Sequence, residues 1–550
     1  MSTAPAAREC RLSPRRRWAA LSILAIAVLV LAIDNTVLYL AVPSLTADLA
    51  PTANQILWIG DVYSLALAGL LIVMGSLADR IGRKRLLLIG SAAFGAASLL
   101  AALSTSAAML IAARLLLGIA GAALMPSTLS LIRNIFTDRS ERTRAIAIWS
   151  AAVGAGAAIG PLVGGALLEH FSWGSVFLIN LPIMAVLIVG GAWLLPESRD
   201  PAPGPFDPAS ALLSMAAIVP VVWAIKHTLA SGIDLAGVAA LVAGIVAGVV
   251  FVRRQRRLDS PLIDVALFAR PAFSGSVLSC FLAVFALVGL LFFFSQYLQL
   301  VRGFSPLQAG LGELPTTLSA IAVVAVVGRV TRRLGVGRAI AVSLLLVSAG
   351  LVGVAVAEGL PGYVWLALAL VAVGLGVGLV QTVATDAVVS SVPPRKAGAA
   401  SAVAETAFEL SAAMGIAILG SIVSLVYRAG MTLPAELDPL QREAVTDSLA
   451  SATAALPPDS PVLDAARHAF TEAMQATSLI AAAITLAAAV VAWRTIPSTV
   501  DAERTPASPV HEARTGRPSD RLVQSEVRPA NPSPSSSTGD SRRESERVHD

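Results

Sequence analysis

Runs of about twenty apolar residues, separated by short basic loops, recur along this chain and leave it few possible folds. A bilayer's hydrocarbon core is about 30 Å thick and takes roughly 20 helical residues to cross. Fourteen runs approach that length, at 18–42, 55–78, 86–105, 108–132, 145–168, 174–195, 209–227, 235–252, 275–300, 307–328, 338–357, 363–391, 399–427 and 473–493. Backbone polar groups in hydrocarbon must be satisfied within each segment, so the runs are expected to be helices. Hydrophobic residues make up 56% of the chain and charged residues 14%, where soluble domains carry roughly 25% charged residues. The expected class is an all-α integral membrane protein.

Basic residues set the expected orientation. With the N-terminus inside, the short cytoplasmic loops hold Arg80, Arg83, Lys84 and Arg85, then Arg133, Arg139, Arg142 and Arg144, and continue from Arg199 to Lys396. The short outer loops hold only Lys226 and Arg302, a bias of 20 against 2. Cytoplasmic loops are enriched in this way, and an even number of spans returns the C-terminus to the same side. Arg15–Arg17 before an apolar run resembles a secretory signal, but the run is too long and contains Asp34; it is expected to be a retained first helix. The net charge of +5 reads as topology and contact with anionic lipid, with no need for nucleic acid. Two cysteines and five histidines give no disulfide or metal framework, and no nucleophile–base set points to an enzyme.

The layout that follows is a cytoplasmic tail at 1–17, a six-helix half at 18–195, two additional helices within 209–252, and a second half at 275–495. A long outer loop at 428–472 carries a possible short amphipathic helix at 440–451, and the Ser/Pro-rich segment 496–550 is expected to be a disordered cytoplasmic tail. An internal repeat supports two parallel halves. Gly75-Ser-Leu-Ala-Asp79-Arg80-Ile-Gly82-Arg83 and Gly328-x-Val330-x-Arg332-Arg333-x-Gly335 share their seven-residue glycine spacing. In the first copy Gly75 and Gly82 permit close approach and a tight turn, and Asp79 is placed to pair with Arg83 or a helix end.

Three further patterns lie inside spans. The fourth carries Arg114-x-x-x-Gly118, and a charged residue there needs a carboxylate or a cavity. The fifth carries Gly154-Ala-Gly156-Ala-Ala-Ile-Gly160-Pro161-Leu-Val-Gly164-Gly165, small residues that let backbones touch around a proline bend. The first reads Asp34-Asn35-Thr36-Val-Leu-Tyr-Leu-Ala-Val-Pro43. Together with the Gly75–Arg83 loop, these resemble the signatures of the major facilitator superfamily, in its fourteen-helix drug:proton antiporter branch, and within it the quaternary-ammonium efflux pumps of the QacA/SmvA type. The resemblance implies the major facilitator fold with two additional helices, gating by Gly75, Asp79, Arg80, Gly82 and Arg83, and export through the fifth-span motif of Gly156, Gly160, Pro161, Gly164 and Gly165. It departs at Gly174-Ser175, where many relatives have Arg-Trp.

The charge inventory points to the chemistry. Asp34, Asp61, Glu313, Asp386, Glu405 and Glu409 fall within spans, and the only clear base among them is Arg114. Each such charge costs at least about 2.5–3.5 kcal/mol on insertion scales. The acids therefore imply a wet cavity, protonation or cationic ligands. Removal from water favours a carboxylate's neutral form, so one buried acid can hold a proton or a cation but holds both poorly. Glu405 and Glu409 lie one turn apart on one face and are expected to form a cavity pair. Asp34 is a candidate proton carrier, or else a packing carboxylate bonded near Asn35 and Thr36. Asp61 sits towards the outer third of its span, Glu313 beside Pro315, and Asp386 where Arg395 or Lys396 could pair with it. Tyr63, Asn180, Gln296, Gln299 and Gln381 are possible cavity linings, as are the rings at Phe281, Phe285, Phe292–Phe294 and Tyr297.

The expected function is proton-coupled export of small lipophilic cations or drugs from a bacterial-type inner membrane, by a monomer in contact with lipid, with protons as coupling ion and no cofactor. Asp79 and Arg83 would latch the inward-closed form. Two rivals are an exporter of a neutral or anionic natural product, and a transport-silent scaffold or sensor acting through the tail.

Overall fold

Every expected crossing is helical. The computed structural model describes residues 13–199, 207–258, 261–392, 397–433 and 437–496. Most of both expected tails, together with Arg395 and Lys396, lies outside the described residues. The N-terminal half comprises α1 (Pro14–Leu49), α2 (Ala53–Ile81), α3 (Arg83–Ala102), α4 (Ala107–Ile135), α5 (Arg139–His170), a short turn α6 (Ser175–Leu178) and α7 (Asn180–Leu194). The additional hairpin is α8 (Pro208–Ser231) and α9 (Leu235–Gln255). The C-terminal half begins with α10 (Pro271–Gln296), followed by α11 (Pro306–Ala322), α12 (Val327–Leu334), α13 (Val336–Glu358), α14 (Val364–Ser390) and α15 (Ala397–Gly430). Two short helices, α16 (Pro439–Asp447) and α17 (Leu449–Ala455), then precede α18 (Pro461–Thr495).

Among the described residues, thirteen crossings are long and apolar enough to span a bilayer, counting α6 with α7 as one. Taken together as one span, α11 and α12 make a fourteenth candidate, bent by 58° between them. The run expected at 307–328 is therefore not one straight helix. Arg329, Arg332 and Arg333 make α12 strongly basic, and charges of that kind stay out of hydrocarbon.

The repeat reaches beyond the glycines. The second helix of each half opens with a reciprocal capping box: Thr52 with Gln55 before α2, and Ser305 with Gln308 before α11. Each arrangement satisfies two backbone donors left free at a helix start. The third helix of each half is entered through a glycine at positive φ, Gly82 at 110° and Gly335 at 75°, where a side chain would be strained.

Within the halves α1 packs on α5 and α7, α2 on α4, α13 on α14 and α18, and α10 on α15. The halves meet along α2–α15 and α5–α11. Helix α8 lies against both α2 and α15, with α9 packed on α8. The additional hairpin therefore lies along a seam between the halves. Its Val222 is buried with Leu65 of α2 and with Ala413 and Ala417 of α15.

The long loop at the end away from Arg83 has structure and a partner. The helix expected at 440–451 breaks at Ser448, whose hydroxyl caps α17 by accepting from the Ser451 N–H. The Asp447 carboxylate accepts from the Ala53 N–H at 3.1 and 2.9 Å, at the start of α2, and the Tyr427 hydroxyl donates to the Val445 carbonyl. Asp447→Ala leaves the Ala53 donor without that acceptor, which costs about 1 kcal/mol at a helix start. A correspondingly lower unfolding midpoint of the purified protein is the expected result.

Candidate functional site

A cavity of about 570 Å³ lies between the halves. Its walls come from α2, α4, α5, α10, α14 and α15, with the first residue of α3. It reaches the basic end, where Asp79, Arg83 and Arg133 line it. Deeper in, the surface is mostly apolar, with Met125, Trp149, Phe281 and Phe408, and its polar groups include Ser276, Gln381, Thr385, Ser401 and Glu405. Asp79 is committed to Arg83, accepting from its Nε at 3.0 Å and its Nη2 at 2.8 Å. That leaves Glu405 as the cavity's acid without a basic partner among the described residues.

The opposite end is closed by backbone-close contacts between the halves. The Glu169 carboxylate accepts from Ser305 Oγ at 3.0 Å and from the Leu307 N–H at 3.3 Å, at the start of α11. Gln299 donates to the Leu40 carbonyl at 3.1 Å. The fifth-span glycines explain how near the helices come. A Cβ on Gly156 would lie 2.6 Å from the Leu29 carbonyl oxygen of α1, and one on Gly165 would lie 2.7 Å from Leu307 Cα of α11. Gly160 and Gly164 meet Thr36 and Val37 of α1, and the Pro161 carbonyl faces Gly310 of α11. The motif therefore packs α5 on α1 within one half and on α11 across the interface.

Asp34 is not in the cavity. It is wholly buried, accepting from Arg114 Nη1 at 2.9 Å and from Asn180 Nδ2 at 2.7 Å. Arg114 also donates to the Ile59 carbonyl and lies 4.6 Å from the centre of the Tyr63 ring. Gly118, one turn along α4, has no room for a side chain beside the Tyr63 carbonyl, and this close approach of α4 to α2 sets the guanidinium in place. Thr36 donates to the Ala32 and Ile33 carbonyls, so the suggested bond between it and Asp34 is not formed.

Asp61 is not at an outer mouth. It is wholly buried and ion-paired with Lys226 Nζ at 2.5 Å. This corrects two expectations together: Lys226 does not belong to an outer loop, and Arg114 is not the only base within the spans. Helix α8 runs on to Ser231, past the expected end at 227, and its lysine enters the seam over the Trp58 ring, 3.8 Å from the ring centre.

The remaining acids separate. Glu405 lines the cavity, whereas Glu409 is 5% exposed and absent from the lining, with Oε2 making no hydrogen bond. The expected pair therefore straddles the cavity wall. Glu313 is buried in α11 with its Oε1 unpartnered. Asp386 is exposed on α14 and lines nothing here. Gln381 and Phe281 face the cavity, but Phe292, Phe294 and Tyr297 are core. Sequence reading missed Glu358, 3% exposed at the end of α13 with neither carboxylate oxygen hydrogen-bonded. Its place at the edge of an apolar run hid it.

In the signature loop, Arg83 donates from its N–H to the Ser198 carbonyl at 2.8 Å and from Nη1 to the Ser198 hydroxyl. Gly82 faces the Glu197 carboxylate and Gly75 faces Pro126. These contacts stay within the N-terminal half and the irregular segment that leaves it, so in this conformation Asp79 and Arg83 latch nothing across the cavity. The departure at Gly174 has a local reason: a Cβ there would lie 2.6 Å from the Ala102 carbonyl oxygen.

Comparison with known proteins agrees with this arrangement. The family model described as Major Facilitator Superfamily matches residues 24–416. The chain is 50% identical to the multidrug efflux pump LfrA of Mycolicibacterium smegmatis, over 87% of this chain and 96% of that protein. It is 37% identical to the methyl viologen resistance protein SmvA of Salmonella typhimurium, over 83% and 93%. It is 34% identical to the tetracenomycin C resistance and export protein of Streptomyces glaucescens, over 91% and 96%. Among solved structures, a bacterial homolog of the human lysosomal transporter Spinster, inward-facing and occupied, superposes with a TM-score of 0.63 over 88% of this chain and 98% of that one, at 17% identity. That likeness concerns the fold alone. Two facing halves, a cavity open at one end and glycine-packed at the other, and relatives matched over nearly their whole length place this chain in the Major Facilitator Superfamily, in its drug-efflux branch: it is a multi-pass membrane transporter and not an enzyme.

Proposed function

We propose that this protein exports lipophilic organic cations in exchange for protons, by alternating access, from a bacterial-type cell membrane with its basic end and both termini in the cytoplasm. The carrying observation is the cavity: one carboxylate without a basic partner, Glu405, set among Trp149, Phe281, Phe408 and Met125, and reached from the basic end. A lipophilic cation needs apolar and aromatic contact for its body and one negative group for its charge. Such a carboxylate binds a proton or the cation in turn, which couples the two flows. The name of one relative supports the reading, since methyl viologen is an organic dication. The wholly buried Asp34–Arg114 pair is the candidate proton switch, because protonating Asp34 would release the guanidinium. The far-end glycine contacts are the gate that must separate for release.

The test is a growth-inhibition panel in cells lacking their own pumps, with lipophilic cations against neutral antibiotics, for wild type and Glu405→Gln. Wild type is expected to protect against the cations. Glu405→Gln is expected to lose roughly tenfold of that protection, equivalent to about 1.4 kcal/mol of recognition, while any protection against neutral compounds stays. Equal protection of both classes by both proteins would favour a neutral natural product as cargo. Vesicles holding the purified protein whose internal pH never responds to an added compound would remove the proton exchange.

A further inference from the structure

The Asp61–Lys226 contact joins helices of different origin. Asp61 belongs to α2 of the N-terminal half, and Lys226 to α8, the first helix of the additional hairpin. The ammonium lies against a carboxylate oxygen and 3.8 Å from the centre of the Trp58 ring. Trp58 and Asp61 are three residues apart, on one helix face. A buried carboxylate beside an aromatic face is the donor set that recognises an organic ammonium ion. The site is enclosed: Asp61 is wholly buried, Lys226 is 2% exposed, and Trp58 packs against the buried cluster of Leu65, Val222, Ala413 and Ala417. One charge removed alone would leave the other stranded in the interior.

We propose that Trp58 and Asp61 form a second cation site, in the seam rather than in the cavity, and that Lys226 fills it as a tethered ligand which a cargo cation must displace. The additional helices then act as a built-in competitor at the α2–α15 interface. Helix α8 touches both halves there, so displacement of its lysine would reach the surface along which they move. The competitive consequence rests on the cation reading above; the site itself does not.

The deciding experiment is chemical rescue. Lys226→Ala removes the three outer methylenes and the ammonium, and n-propylammonium restores those same atoms. The full-length protein is purified in detergent and its thermal unfolding is followed as n-propylammonium is added. Lys226→Ala is expected to unfold at a lower temperature than wild type and to regain the lost stability with the amine. Wild type and the doubly substituted Asp61→Asn, Lys226→Ala protein are expected not to respond. A folded Lys226→Ala protein indifferent to the amine, or a double variant that responds equally, overturns the site, whatever the protein exports.

Should Lys226→Ala not fold, wild type decides the matter. The chain has three lysines, Lys84, Lys226 and Lys396, so acetylation by acetic anhydride can be read peptide by peptide. Lys226 is expected to be protected relative to Lys84 and to become labelled when tetraphenylphosphonium saturates the protein. Labelling of Lys226 that the cation leaves unchanged overturns the displacement.

Discussion

Asp34→Asn is expected to abolish proton-driven export and to destabilise the protein, while cargo binding in the cavity survives. The stability loss follows from what the substitution leaves behind. Arg114 and Asp34 are both wholly buried, and Arg114 Nη2 already makes no hydrogen bond. Asparagine offers one acceptor oxygen to the two donors that the carboxylate serves, Arg114 and Asn180, and it has no charge to balance the guanidinium, whose other contacts are the Ile59 carbonyl at 3.3 Å and the Tyr63 ring. Breaking a buried pair from one side costs about 3–5 kcal/mol, because an uncompensated charge stays inside. Asp34→Asn combined with Arg114→Gln removes both charges and is expected to recover most of that stability, but not export. Thermal unfolding in detergent, binding of a fluorescent cation and uptake into inverted vesicles separate the three effects. Asp34→Asn vesicles that accumulate cargo at the wild-type rate would show that the pair is scaffolding.

The helices were legible because hydrophobic length is a one-dimensional signal. Run length identified the thirteen crossings and the bent α11–α12 pair, and the bend itself escaped it. The break falls at 323–326, within Val-Val-Ala-Val, where hydropathy carries no sign of an interruption. The repeated glycine spacing was legible for a related reason: Gly82 and Gly335 answer to backbone conformation, which depends on near neighbours in sequence.

The site was legible only in part, because partnership between spans is not a sequence property. Arg114 announced its need for a carboxylate, yet nothing local showed that Asp34 supplies it, 80 residues away. Lys226 was assigned to a loop because it stands near the end of an apolar run. A lysine's four-carbon stem lets its charge sit well away from its backbone position, and here it points into the seam instead of out to water. Helical spacing correctly put Glu405 and Glu409 on one face. It could not show that one lines the cavity while the other is buried outside its lining.

Gly165→Ala is expected to shift the protein out of the conformation described here, with Cys280 as reporter. In this conformation a Cβ on Gly165 would lie 2.7 Å from Leu307 Cα and 2.8 Å from the Pro306 carbonyl oxygen. Both are backbone atoms of the facing half, so no side-chain rotation relieves the overlap, and α5 must move away from α11. Overpacking of this kind costs about 1–3 kcal/mol. That energy changes a two-state ratio by roughly 5–150-fold. Because the contact exists only while the far end is closed, the cost falls on the cavity-open state. Cys280 lines that cavity, and a Cys10→Ser background leaves it as the chain's one thiol, since the sequence has two cysteines. An impermeant maleimide added to the basic face is expected to label Cys280 about tenfold more slowly in Gly165→Ala than in the parent, within that range of ratios. Export is expected to fall with it, since a transporter biased to one face turns over slowly. Gly154→Ala is the control on the same helix, where a Cβ meets only Ile321 Cγ1 at 3.9 Å. Equal labelling in the two variants would mean that the α5–α11 contact does not set the balance between the two faces.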